Sequence, residues 1–410
     1  MGSGSIRNTS CSCGSGKKYK HCCGKNKNSI KEGDILPLEG GGFLHLLKIR
    51  SNDGYDQYGE NGFWYSNIAS VEEVGRIIKL QNIDDYLLKM RADSIIENMR
   101  LYRTFLKRRK NSELLKKTWS LESHFSSDLF KHYLSLIEES YSKDLIGIKA
   151  GFIYCNEPNG MLLKTDFGNL VLISESFRQC LFFMNLYMLD FEDDIPFDIR
   201  FSALKIAIRI MLTKEALDFE LDSRGTIPER VLQKIRINLR YQILFIIGHE
   251  YAHQILQHLG DNTINTAINL NDKNKYIVYN HSQENEFDAD IQSIKMIKKD
   301  VPRRLVFHNS LAFFTALSLY EHASEQISPS ISYYLTHPKA IERLERLIEY
   351  YPELSDNNVV ELKNYHKNFI SDTIKILQED VAVNFESYET YGSIYLGKWK
   401  EKALIDRIDY

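Results

Sequence analysis

Two histidines and a glutamate stand at the end of a run that is apolar on every side. Ile243-Leu-Phe-Ile-Ile247 leads directly into His249-Glu-Tyr-Ala-His253. A helix that is hydrophobic all round belongs in a core, and three ionisable side chains are costly there without a purpose. Histidines four residues apart project from one helix face, about one turn apart. Two imidazoles so placed can share a zinc ion, and Glu250 can reach a water on that ion as general base and proton shuttle. The competing reading is an ordinary core helix whose polar groups are satisfied. A second predicted helix weighs against it, because Glu284-Asn-Glu-Phe-Asp-Ala-Asp290 supplies carboxylates. A catalytic zinc takes three protein ligands and keeps its fourth position for water. Glu286 is the candidate third ligand, with Glu284 and Asp288 as rivals. Asp290, four residues on, can orient a ligating histidine through its other ring nitrogen.

The 410 residues suggest two or three domains and ample core. A net charge of −3, from 52 basic and 55 acidic residues, argues against a polyanion binder along the whole chain. The most apolar runs, Tyr241–Ile247 and Leu311–Leu319, are too short to span a bilayer. With no apolar signal core at the start, the expected location is the cytoplasm, with no membrane partner. The first thirty residues carry Arg7, Lys17, Lys18, Lys20, Lys25 and Lys27 and no acid, leaving −9 on the rest (−3 minus +6). Gly/Ser-rich and poor in apolar residues, this segment needs something other than burial to hold it. Cys11, Cys13, Cys22 and Cys23 can complete a closed, structural zinc shell. The stretch Cys11-Ser-Cys-Gly-Ser-Gly-Lys-Lys-Tyr-Lys-His-Cys-Cys resembles the SEC-C motif, a zinc knuckle. Cys23 stands where another version of that motif has histidine, and His21 is a substitute ligand. The resemblance implies docking to proteins or ribosomal surfaces; a solvated basic tail is the plainer alternative.

Composition shifts divide the chain into a knuckle (1–28), a small β-rich domain (30–83), a helical linker region (84–145), a core (146–350) and an extension of helix and terminal hairpin (351–410). The β-rich reading rests on turn signals at Gly40-Gly-Gly42, Asn52-Asp-Gly54 and Asn61-Gly62. Gly151–Cys155 and Asn169–Ile173 read as strands around a Glu157-Pro-Asn-Gly160 turn. Helices follow at about 177–189, 200–216, 228–259, 282–298, 301–324 and 338–350, with an Asn-rich loop at 261–275. Val381–Tyr395 reads as the hairpin. The fold class is α+β, mainly helical with a small sheet.

His249-Glu-x-x-His253 followed by Glu286-x-x-x-Asp290, Thr336-His-Pro338 and Arg343 resembles the gluzincin family of CAAX prenyl proteases and the heat-shock protease HtpX. The resemblance spans roughly Gly151 to Leu347. It implies a zincin core with a substrate-facing edge strand, a metal helix and a carboxylate helix. It also places His337 near the metal, to stabilise an oxyanion or occlude the site, and gives His258 a frequent family position. Arg343 buttresses the segment, and Tyr333 and Tyr334 are weak oxyanion candidates. The family is largely membrane-embedded, which this chain does not match. The expectation is therefore a soluble zinc metalloendopeptidase with one catalytic and one structural zinc, acting on protein or peptide substrates. The strand bearing Asn169, Val171 and Ile173 would pair with substrate. Two rivals are a non-catalytic adaptor that docks through the knuckle, and a latent stress or defence protease.

Overall fold

The computed structural model describes residues 59–155, 158–191, 194–258, 283–328, 337–355 and 358–397, Lys18, and strand segments at 35–37, 43–45 and 277–278. The knuckle cysteines Cys11, Cys13, Cys22 and Cys23, the loop at 261–275, Thr336, Tyr333 and Tyr334 lie outside the described residues. The chain divides into two units, Met1–Gly59 and Glu60–Tyr410. In the first, β1 (Ile35–Pro37) pairs antiparallel with β2 (Phe43–His45).

The second unit opens on helices. These are α1 (Gly59–Ile68), α2 (Val71–Ile78), α3 (Ile83–Ile96), α4 (Met99–Leu114), α5 (Asp128–Leu136) and α6 (Glu139–Leu145). The β-rich expectation for 30–83 therefore fails over its second half. Ser70 and Glu73 form a capping box on α2, and Val74 and Ile77 are buried at helical spacing. The aromatic cluster Phe63-Trp-Tyr65 has high strand propensity, and its helical context overrode that propensity.

A small mixed sheet follows, from β3 (Lys149–Ile153), β4 (Gly160–Thr165), β5 (Gly168–Ser174) and β6 (Ile277–Val278), in the order β3-β5-β4-β6. β5 runs parallel to β3 and antiparallel to β4. Leu170 through Ile173 are wholly buried, as a central strand covered on both faces requires. The sequence reading missed β4, whose Gly160 start looked like a turn. Tyr86, Leu87 and Met90 of α3 pack on Leu163, Leu170 and Leu172.

The remaining layer is helical: α7 (Glu175–Met188), α8 (Phe197–Met211), α9 (Glu229–Ile255), α10 (Gln283–Lys295), α11 (Asp300–Ile327), α12 (Ala340–Tyr350), α13 (Val359–Asn384) and α14 (Glu386–Glu389). α9 contacts α5, α7, α10, α11, β4 and β5, and Gln242 through His253 are all buried. The expected terminal hairpin is absent among the described residues. Val381 instead ends a buried stripe with Ile370, Thr373 and Leu377 on α13. No described helix is long and apolar enough to cross a membrane.

Candidate metal centre and cleft

The packing of α9 sets the site. Gly248 lets the ring of Tyr133 from α5 lie against the helix backbone, just before the first histidine. The Tyr133 hydroxyl donates to the Ser293 carbonyl of α10 at 2.6 Å. One buried ring thus spaces the two helices that carry the candidate ligands. His249 Nε2 and His253 Nε2 lie 3.0 Å apart. Glu286 approaches from α10, with Oε2 3.4 Å from His249 Nε2 and Oε1 3.4 Å from His253 Nε2. Its rivals face away: Asp288 is exposed, and exposed Glu284 pairs with Arg346.

Glu286 is 0% exposed, and its Oε1 is buried with no hydrogen-bond partner. A buried carboxylate oxygen without a hydrogen bond, 3.4 Å from His253 Nε2, is costly to desolvate, and a cation held by the three side chains would compensate it. Ligand atoms about 2.05 Å from a tetrahedral ion stand about 3.3 Å from one another. The observed separations of 3.0 and 3.4 Å fit that edge length. The donor set of two imidazoles and one carboxylate suits a divalent metal.

The surroundings fix each donor. Asp290 Oδ1 is 2.9 Å from His249 Nδ1 and orients that ring. Arg343 of α12 donates to both Asp290 oxygens, from Nε at 2.7 Å and from Nη2 at 2.6 Å. The Arg343 fork compensates an otherwise isolated buried charge. His253 Nδ1 lies 3.0 Å from His258 Nδ1. Burial opposes a charge on His249, yet Asp290 and Glu286 carry its pKa up to about 10. Burial likewise opposes ionised Glu286, but His337, His249 and His253 hold its carboxyl well below the usual range. Burial pushes the Glu250 carboxyl up to about 7, where a group can both accept and return a proton near neutral pH.

Glu250 and His249 face a cavity of about 90 Å³ with Asn159, Gly160, His337 and Arg343. Its wall is apolar, with Phe177, Met211, Phe245, Phe313 and Leu317. Gly160 starts β4 against the carboxylate; a Cβ there would stand 2.9 Å from Glu250 Oε1. His337 Nδ1 lies 2.8 Å from Glu286 Oε2. The expectation that Asn169, Val171 and Ile173 pair with substrate is corrected here. Those residues belong to β5, which pairs with β4 over Gly168–Ile173 and with β3 over Leu170–Ser174, so Val171 and Ile173 have a strand on both sides. Asn169 Nδ2 also donates to Gln254 Oε1 at 2.7 Å. The strand beside Glu250 is β4, and β6 pairs with it only at Leu163 and Lys164. Among the described residues, Gly160–Leu162 has no strand partner on that outer edge.

Sequence reasoning missed Gly160, Gly248 and Tyr133. A glycine directly before the first histidine was a usable sign of close approach. Tyr133, 116 positions from His249 (249 − 133), left no local sign.

Residues 237–363 match the family model described as Peptidase U49, and residues 7–25 match the SEC-C motif. The peptidase match covers about a third of the chain, from within α9 into α13, and includes His249, Glu250, His253, Glu286, Asp290, His337 and Arg343. No curated protein and no solved structure matches the chain.

Proposed function

We propose that this chain is a zinc-dependent endopeptidase. The reading is carried by the buried Glu286 carboxylate set against the His249 and His253 imidazole nitrogens beside an apolar cleft. The Peptidase U49 match over the same residues supports it. His249, His253 and Glu286 would hold the ion, and Asp290 with Arg343 would keep His249 in its ligating orientation. A bound zinc would supply Lewis acidity, lowering the pKa of water and polarising the scissile carbonyl. Glu250 takes the proton of the attacking water and returns it to the leaving amine. His337 lines the cleft with its Nδ1 on Glu286, and its other ring nitrogen stabilises the oxyanion. Cys11, Cys13, Cys22 and Cys23 hold a second, structural zinc. The lysines around them suit an acidic protein or a ribosomal surface.

Glu250→Gln tests the mechanism, because the amide keeps the shape but cannot accept the proton. The variant should retain fold and metal content and lose cleavage of a casein or peptide library by at least about a hundredfold. A Gln variant that cuts as well as wild type would falsify the role of Glu250.

A further inference from the structure

We propose that Glu321 is a positioning residue that caps α12 from α11 and holds the His337 turn against Glu286. This rests on the peptidase reading above, in which His337 serves the reaction. α12 has no cap of its own. Its N-cap residue, Lys339, makes no side-chain capping bond, and lysine has no acceptor to offer. Pro338, before it, has no N–H. The first amide in need of a partner is that of Ala340, which is 1% exposed. Glu321 supplies the acceptor, with Oε1 3.0 Å and Oε2 3.2 Å from the Ala340 nitrogen. A carboxylate at a helix N-terminus is also favoured by the helix dipole.

The stretch 337–343 is thus fixed at three points: His337 on Glu286, Ala340 on Glu321, and Arg343 on Asp290. Two of these use the α10 carboxylates that serve the metal centre. Glu321 supplies the third from a different helix. Burial pushes its carboxyl up to about 7, so the position is costly for an acid. Glu321 also lines the cleft wall. Without it, the stretch would be held only by the α10 carboxylates, at His337 on Glu286 and at Arg343 on Asp290.

The test uses full-length Glu321→Ala, Glu321→Gln, His337→Ala and the Ala/Ala double variant. One readout needs no activity: amide exchange over 337–345 and the rate of His337 modification by diethyl pyrocarbonate. Loss of the cap should speed both about tenfold in Glu321→Ala. Glu321→Gln, whose amide oxygen still accepts from Ala340, should stay near wild type. The second readout is cleavage. Glu321→Ala should lower kcat about tenfold at unchanged KM, and the double variant should be no slower than His337→Ala alone. Should Glu321→Ala unfold, Glu321→Asp reads the same bond with the carboxylate drawn back by one methylene. Unchanged exchange and modification overturn the proposal, as does a kcat loss that persists in full on the His337→Ala background. If wild type cleaves nothing, exchange and modification alone decide whether Glu321 holds the turn.

Discussion

Gly248 and Tyr133 show how much of the candidate metal centre depends on residues that cannot touch a substrate. A Cβ at position 248 would stand 2.6 Å from Tyr133 Cζ, and the ring is wholly buried. Gly248→Ala should therefore destabilise the fold by about 1–3 kcal/mol, the usual cost of overpacking. It should also lower zinc occupancy, since the same ring spaces α9 from α10. Thermal midpoint and metal content measured on one preparation check both; a variant with wild-type values contradicts the spacing argument. The ligand candidates themselves were legible in the sequence because their geometry is local. His249 and His253 share a helix face by periodicity alone, as do Glu286 and Asp290. Periodicity alone left Glu284 and Asp288 as rivals of Glu286, since those two are also four residues apart; the resemblance favoured Glu286, and burial separates it from them. What the sequence could not carry was the contact between helices: the Arg343 fork, the Tyr133 wedge and the close approach of Gly160.

Among the elements, those with strong apolar periodicity read correctly, and errors gathered where propensity and context disagree. α7 to α12 stand within a few residues of their predicted places. β4 was lost because its first residue, Gly160, closes the Glu157-Pro-Asn-Gly160 turn signal, so the apolar residues after it were read as part of the connection. The C-terminal aromatics suggested a hairpin, yet Val381 continues a helical stripe. That stripe brings His366 of α13 against α11, where the Thr315 hydroxyl donates to the Leu311 carbonyl and meets His366 Nδ1 at 2.8 Å. Burial, with the nearby His308 charge, pushes the His366 imidazole down to about 4 from its ordinary 6.5. The unfolded chain then binds this proton before the folded one. The contribution to stability is intact above pH 6.5 and is lost as pH falls toward 4, by up to about 3 kcal/mol. His366→Gln removes that titration. The stability gap between wild type and variant should narrow between pH 6.5 and 4.5; a constant gap contradicts the assignment.

For the whole molecule, a buried ionic chain ties distant segments into the second unit. Arg209 and Arg224 both donate to Glu215 at 2.8 Å, and Arg224 and Arg100 both reach Asp218. Arg209 also donates to the Thr390 carbonyl beyond α14 at 3.0 Å. Each charge is compensated, so the network fixes the C-terminal segment without leaving an isolated ion. No short motif announces it, because its members come from α4, α8, the loop after α8 and the segment after α14. As proposed, His249, His253 and Glu286 hold a zinc ion independently of the N-terminal cysteines. Metal content by mass spectrometry on full-length protein with Cys11, Cys13, Cys22 and Cys23 all changed to Ser tests it directly. One zinc per chain should remain, and adding His249→Ala or Glu286→Gln should lower occupancy at least about tenfold, as loss of a ligand demands. A four-cysteine variant with no bound metal, or one whose metal is indifferent to His249 and Glu286, would contradict the claim.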